Sequence, residues 1–349
     1  MRFDLSLNDF RGFHRQPFTP LRPITLLVGE NSAGKTSYLA ACKFVADFFS
    51  GREPSFTTDP FQLGTFEQIA HTRGGRGGRA RQFSIRVRSL IEPETTDRSA
   101  RTTRNRVEAT LEFDNIESAA TLRQVEVSAA GLQMRFRLVS ERLRLDVKRS
   151  GEDWVEAPDA AKYFPSFAPN YFQYLGVILR SPNFFSRTVM DKELKGRYDD
   201  LMEAFDRQLA VFAEGFGNGA KATSAIRTKP NRTYTPGTES VDGEGSHVPY
   251  ELAKLWRKRN KQEWEHVQRD IEGFGSASGM FQDISVKSFG QTASDPFQLQ
   301  FASSGPKMNI VDLGYGTSQV LPLLFDSSSE PEGTTFLIQQ PEVHLHPRA

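Results

Sequence analysis

The sequence has a single cysteine among 349 residues. Cys42 cannot close an internal disulfide, and a cysteine-rich zinc fold is excluded. Neither charge dominates: 44 Lys and Arg stand against 43 Asp and Glu, for a formal charge of +1. That balance excludes a globally basic nucleic-acid binder and a polyacidic tail protein, so any charged site must be local. No signal-peptide pattern opens the chain, and its longest apolar runs, such as 321–325, fall far short of the ~20 residues a membrane helix needs. With a mean hydropathy of −0.49, the expectation is a soluble, cytoplasmic protein with no membrane partner. No internal repeat is present, and the length suits one compound domain or two lobes.

What is present falls into order along the chain. Residues 2–7 alternate Phe3, Leu5 and Leu7, which predicts a strand, and the apolar run 24–28 ending at Gly29 predicts a second, buried one. From Lys35 to Ser50 apolar residues recur at helical spacing (Tyr38, Leu39, Cys42, Val45, Phe48, Phe49), and Gly51 stands where a helix ends. Alternating segments at 83–90, 106–113, 123–128 and 132–147 predict an antiparallel β lobe. Helices are predicted over 190–216 and 248–274, with the Gly, Ser, Thr, Pro and Asn-rich stretch 217–247 as a long loop between them. Strands resume at 284–289, 297–301 and 308–313, followed by a helix from Ser318 and an apolar strand at 335–338.

Gly29-Glu30-Asn31-Ser32-Ala33-Gly34-Lys35-Thr36 matches the phosphate-binding pattern G-x-x-x-x-G-K-[ST], between a predicted strand and a predicted amphipathic helix. The glycines let backbone N–H groups close round a phosphate, Lys35 supplies a point charge, and the helix N-terminus adds its dipole. Glu30, Asn31, Ser32, Ala33, Gly34, Lys35, Thr36 and Ser37 are therefore the candidate contacts for ATP or GTP, with Thr36 placed to ligate Mg²⁺. The plainer alternative is a glycine turn with a chance lysine.

Near the other end, Gly314-Tyr315-Gly316-Thr317-Ser318-Gln319 opens a helix, and the strand 335–338 leads into Gln339-Gln340-Pro341-Glu342-Val343-His344-Leu345-His346-Pro347. With these motifs the chain resembles the RecF/SMC-like branch of ABC-type ATPases, in particular the prokaryotic group of OLD-type nucleases and anti-phage defence ATPases. Asn8, Phe10, Arg11 and Phe13 match that group's first-strand motif, residues 314–319 its signature, and 336–347 its Walker B strand with the trailing turn. Residues 60–66 resemble its Q-loop neighbourhood, with Gln62 as a metal or water contact.

The resemblance implies an α/β fold: an ABC-type P-loop ATPase head with an inserted antiparallel β lobe and helical segments. On that plan 1–72 and 284–349 form the ATPase core, 73–160 the β lobe and 161–283 a helical insertion. It implies ATP with Mg²⁺ sandwiched between two protomers, Arg11, Gly316 and Ser318 joining the P-loop residues as nucleotide contacts, and Ser318 capping the signature helix. It also places the family's D-loop, final strands and switch histidine beyond Ala349 or on a second polypeptide. One departure bears on chemistry. The family's usual acidic pair after Walker B is here Gln339, at the metal position, and Gln340, at the position that polarises water. An amide can orient water but cannot take its proton; hydrolysis is then slow, borrows Glu342, or is absent. Glu342 has an equal claim as the cap of the turn that follows.

His344 and His346 lack a third ligand for a metal site, and Cys42 falls on the helix core. Between Arg73 and Arg106 lie ten arginines against three acids, Glu92, Glu94 and Asp97. This run suits contact with a DNA backbone, or it protects a sheet edge from pairing. Arg257, Lys258, Arg259 and Lys261 form a second basic run. Two functions remain open: an ATPase subunit of a bacterial anti-phage defence or DNA-repair complex that closes on DNA as a homodimer or larger oligomer, or a nucleotide-gated scaffold holding a separate nuclease or toxin effector. The third option, a nuclease in its own right, needs an acidic catalytic cluster that these residues do not supply.

Overall fold

A computed structural model describes residues 2–74, 78–90, 106–139, 142–157, 171–181, 183–186, 192–237, 243–258 and 261–345. They divide into two compact units, Met1–Ala220 and Lys221–Ala349. The chain is mixed α/β, with a large antiparallel sheet in the first unit.

Nine strands make that sheet: β1 (Phe3–Phe10), β2 (Phe13–Arg15), β3 (Thr19–Leu21), β4 (Gln82–Leu90), β5 (Arg106–Ile116), β6 (Ala119–Ala129), β7 (Leu132–Val139), β8 (Arg142–Arg149) and β9 (Val155–Glu156). The order is β2-β1-β4-β5-β6-β7-β8-β9, with β3 also on β1. The strands of the region 73–160 thus continue the sheet that β1 begins. Period-two alternation sends Leu5, Leu7, Ile85, Val87, Leu111 and Val125 to one fully buried face. The other face carries charge in cross-strand pairs, Arg88 with Asp4, Arg86 with Glu108, and Arg135 and Arg137 with Asp146, while Arg106 joins Glu108 along β5 itself.

Against the apolar face lie α1 (Lys35–Ser50) and α4 (Lys192–Glu214), with α3 (Tyr171–Leu179) packed on these two helices, while the short α2 (Phe66–Ile69) sits near β6. Phenylalanines join the layers. Phe44 of α1 packs edge-on to Phe113 of β5 at 5.0 Å, and Phe83 stacks on Phe113 at 4.6 Å. Phe49 meets Phe212 and Phe216 at the far end of α1. A β-carbon on Gly176 of α3 would fall 2.0 Å from the carbonyl oxygen of Phe48, so only glycine lets these two helices approach so closely.

The second unit holds β11 (Asp283–Ser288), β12 (Phe297–Ala302) and β13 (Met308–Asn309) in an antiparallel sheet, and β10 (Ala220–Thr223) paired with β14 (Thr335–Ile338). Helices α5 (Val248–Arg257), α6 (Gln262–Ser278) and α7 (Tyr315–Ser329) pack here around Val267, Ile271, Phe281, Leu299, Phe301 and Leu321. Arg232 grips Asp312 and ties the 232–234 segment to the turn Ile310–Asp312.

Several expectations are corrected. Residues 24–28 form no ladder, and Ile24, Leu26 and Val28 are 85%, 80% and 93% exposed. Their apolar pattern suits a buried strand, but among the described residues no strand pairs with them. The helix predicted over 248–274 is two, because Lys258 turns extended (ψ 142°) in a polar run that offers nothing for the core. The strand predicted over 132–147 is the two strands β7 and β8, and the loop 217–247 contains β10. Arg76, Arg98, Arg101, Arg104, His346 and Pro347 lie outside the described residues.

Candidate functional site

In the first unit, residues 29–34 turn into α1 through two left-handed residues, Ser32 (φ 64°) and Gly34 (φ 94°), the latter at the helix N-cap. Lys35 folds back over the loop, its Nζ donating to the carbonyl oxygens of Gly29 and Glu30, both at 2.7 Å. The ammonium is thus held by the loop's own dipoles where the phosphate-binding pattern needs a cation. Glu30, Asn31 and Ser32 are exposed, Ser37 is buried, and Thr36 stands in the first turn of α1.

Around this loop the first strands are strapped down. Arg11 has φ 52°; its N–H donates to Ile69 and its Nη1 to the Gln68 carbonyl, so its guanidinium is anchored on α2. Burial pushes the carboxyl of Asp9 up, yet hydrogen bonds from Arg73 and His14 hold it below the usual range. Gln62 lies exposed and donates to Asp59. Cys42 is buried on α1, and burial pushes its thiol up to about 12, the state of an inert packing residue.

In the second unit the signature segment differs from expectation. Gly314, not Ser318, caps α7, and the helix starts at Tyr315. Ser318 is inside the helix and buried, its hydroxyl donating to the Tyr315 carbonyl at 2.7 Å. The cause is local: three further residues turn helical ahead of it, so its oxygen faces its own first turn. Gly316 is needed for packing, since a β-carbon there would meet the His344 carbonyl at 2.6 Å. The Tyr315 and His344 rings meet edge-to-face at 4.7 Å. The signature turn and the turn after β14 are therefore in contact.

That second turn follows β14 through Gln339 and the left-handed Gln340 (φ 44°), with Glu342 exposed beyond it. Backbone N–H groups of Val343 and Leu345 donate to the carbonyls of Gln340 and Glu342. Gln339 sends its Nε2 to the Thr223 carbonyl at 3.4 Å. Its own carbonyl accepts from Nη2 of Arg227 at 2.9 Å. Arg227 is 1% exposed, and its Nε and Nη1 have no hydrogen-bond partner among the described residues. Burial lowers its affinity for a proton, and the charge of Glu342 opposes that shift. The sequence reading missed this residue. It lies in a polar stretch that reads as loop, and no local pattern separates it from the nearby Arg232.

The sequence model of the family described as "AAA domain, putative AbiEii toxin, Type IV TA system" matches residues 24–349. The chain belongs to this family. It is an ATPase of the AAA type, and membership implies nucleotide binding at the loop just described. Among solved structures, an SMC head bound to the C-winged helix domain of ScpA is 8% identical, over 98% of this chain and 90% of that one, with a TM-score of 0.43. An SMC head domain with an extended coiled coil, bound to the C-terminal domain of ScpA from Pyrococcus furiosus, is 12% identical over 97% and 89%, with a TM-score of 0.36. A third, from work on ATP-driven dimerization and DNA-stimulated activation of SMC ATPases, is 14% identical over 60% and 96%, at 0.23. Family membership rests on the sequence match and the loop, not on these scores. No curated protein matches. Among the described residues no helix is long and apolar enough to cross a membrane, and no group of three or more His, Cys, Asp or Glu could hold a metal ion.

Proposed function

We propose that the chain binds ATP with Mg²⁺ on residues 29–37 and that bound nucleotide closes two copies of it, in a bacterial anti-phage defence or DNA-repair complex that holds or releases a separate effector. The loop carries this reading. Its Lys35 ammonium rests on two carbonyls that a triphosphate can replace, beside the N-terminus of a 16-residue helix.

The Thr36 hydroxyl and the amide oxygens of Gln62 and Gln339 are hard oxygen donors of the kind Mg²⁺ accepts alongside water and phosphate. When bound, the ion neutralises charge on the phosphates. Gln339 and Gln340 cannot accept a proton from water, so turnover is slow and falls to the Glu342 carboxylate. Arg227 fixes the carbonyl at the root of that turn. Gly316 and Ser318 act on a second protomer's nucleotide through the start of α7 rather than through the Ser318 hydroxyl, which is engaged with Tyr315.

Between the two partners, the arginines favour the effector. Arg73, Arg86, Arg88 and Arg106 are spent on Asp9, Glu108 and Asp4. A cation already paired has little to offer a DNA backbone. The family's description as a toxin of a type IV toxin–antitoxin system supports an effector-linked role. Labelled-ATP binding by the parent and by Lys35→Ala tests the core claim: affinity should fall by roughly a hundredfold or more, as for losing a charge-assisted partner in a desolvated cradle. Unchanged affinity would overturn it. DNA retention across a salt series, with Arg79→Glu and Arg81→Glu as controls, separates the partners, because steep salt-sensitive retention would restore the DNA reading.

A further inference from the structure

Within the second unit, the 228–231 segment, the start of α5 and one flank of α7 line a partly open cavity of about 130 Å³. Tyr234, Pro249, Tyr250, Leu321 and Pro322 form its apolar walls. The aromatic wall is backed from behind: Tyr234 stacks on Phe297 at 5.5 Å, and Tyr250 stands edge-on to both rings at 5.6 and 5.8 Å. The Asn231 N–H donates to the Tyr234 hydroxyl at 3.1 Å. Burial pushes that phenol up to about 12, so it stays uncharged at neutral pH. Gly245 (φ 82°) seats the rim, since a β-carbon there would lie 2.5 Å from Pro322.

Beside the apolar walls the lining is polar, with Thr228, Asn231, Ser246 and Ser318. Among the described residues Lys229 is the one charged residue on the wall, and it takes part in no ion pair there. Pro322 has no N–H to offer the carbonyl of Ser318, one helical turn back, and both residues line the cavity. The volume is close to the ~150 Å³ that holds a benzene molecule in an apolar protein cavity, which limits the occupant to one ring. A single cation beside an aromatic wall in a cavity of that size, with polar side chains on the rest of its lining, selects a ring bearing an anionic group.

We propose that this cavity binds a small aromatic carboxylate, with the ring between Tyr250 and Pro322 and the carboxylate on the Lys229 ammonium. Ser318, Leu321 and Pro322 belong to the helix that opens with the signature glycines, so the occupant stiffens α7 and acts as an effector of whatever that helix contacts. The binding claim stands apart from the nucleotide reading.

Phenylacetate is the probe, with benzyl alcohol as the ring without the charge and acetate as the charge without the ring. Thermal unfolding and ligand-observed NMR are run on the full chain without nucleotide. Phenylacetate should bind the parent saturably and raise its melting temperature, while acetate should do neither. Lys229→Ala should weaken phenylacetate by roughly tenfold and leave benzyl alcohol unchanged. Ser246→Phe, which fills the cavity from its rim, should abolish both. Lys35→Ala should bind phenylacetate as the parent does, so a failed ATP assignment leaves this result readable. No saturable binding by the parent overturns the proposal, as does phenylacetate affinity unaffected by Lys229→Ala. The lysine is exposed, so Lys229→Ala leaves the fold intact and that second criterion applies even if Ser246→Phe does not fold.

Discussion

The ring of Phe13 lies 2.9 Å from where a β-carbon on Gly34 would sit. The left-handed backbone at Gly34 and the ring against it together hold the entrance to α1, so the second strand of the sheet sets the shape of the phosphate loop. Gly34→Ala should cost about 2–3 kcal/mol, combining positive-φ strain with the clash. Adding Phe13→Ala should recover only the steric part. Chemical denaturation of the three variants measures both terms, and full recovery in the double variant would refute the strain component.

Arg227 is a buried cation that, among the described residues, has one hydrogen-bond partner and two idle nitrogens. Replacing a buried ion by an apolar side chain of similar length is often close to neutral, so Arg227→Met should change unfolding free energy by no more than about 1 kcal/mol. Arg227→Glu puts an opposite charge against the Gln339 carbonyl and should cost about 3–5 kcal/mol. Urea titration decides; equal losses in the two variants would mean that packing, not charge, governs the site.

Gly316→Ala drives a methyl group into the His344 carbonyl, a backbone atom that cannot swing aside. Overpacking of this kind costs roughly 1–3 kcal/mol. ATP affinity of the single chain should stay at the parent value while association with a non-hydrolysable analogue is lost. Sedimentation velocity with and without the analogue reads this directly, and an unchanged distribution would remove the signature turn from the interface.

On the polar face of the large sheet, burial raises the carboxyl of Glu112, helped by the charges of Glu126 and Asp114; burial likewise raises Glu126 against Lys148 and Arg135. Carboxyls raised in the folded state bind protons more readily there than in the unfolded chain, so their contribution favours folding at low pH and is lost as pH rises through the folded value. Glu112→Gln should therefore stabilise the protein slightly at pH 7, by less than about 1 kcal/mol for a half-buried site still screened by solvent. The gain should vanish as pH falls below the ordinary glutamate value of 4.5. Melting temperatures of parent and variant from pH 4 to pH 8 test the sign.

Where a pattern is satisfied by its own neighbours, the sequence reports it well. The phosphate loop, the helix from Lys35 to Ser50 with Gly51 behind it, and the alternation of β4 to β6 are all local properties. Residues 24–28 show the opposite case: alternation states what a strand would bury, not who pairs with it. The break at Lys258 is likewise invisible in the apolar spacing, because a helix pattern continues across a polar gap whether or not the backbone does. Ser318 has the right chemistry for a cap, but the helix begins three residues earlier, and Arg227 gains its meaning only from Gln339, 112 residues away.

The insertion of the phosphate loop and α1 between β3 and β4 has a consequence for the order of assembly. Phe44 rests on Phe113, and β1 pairs with β4, so the helix that follows Lys35 has no floor until β5 has left the ribosome. Closing contacts of such sequence separation is slow compared with helix formation. A nucleotide that binds only the seated loop would therefore stabilise the whole sheet-and-helix unit by mass action, and not the loop alone.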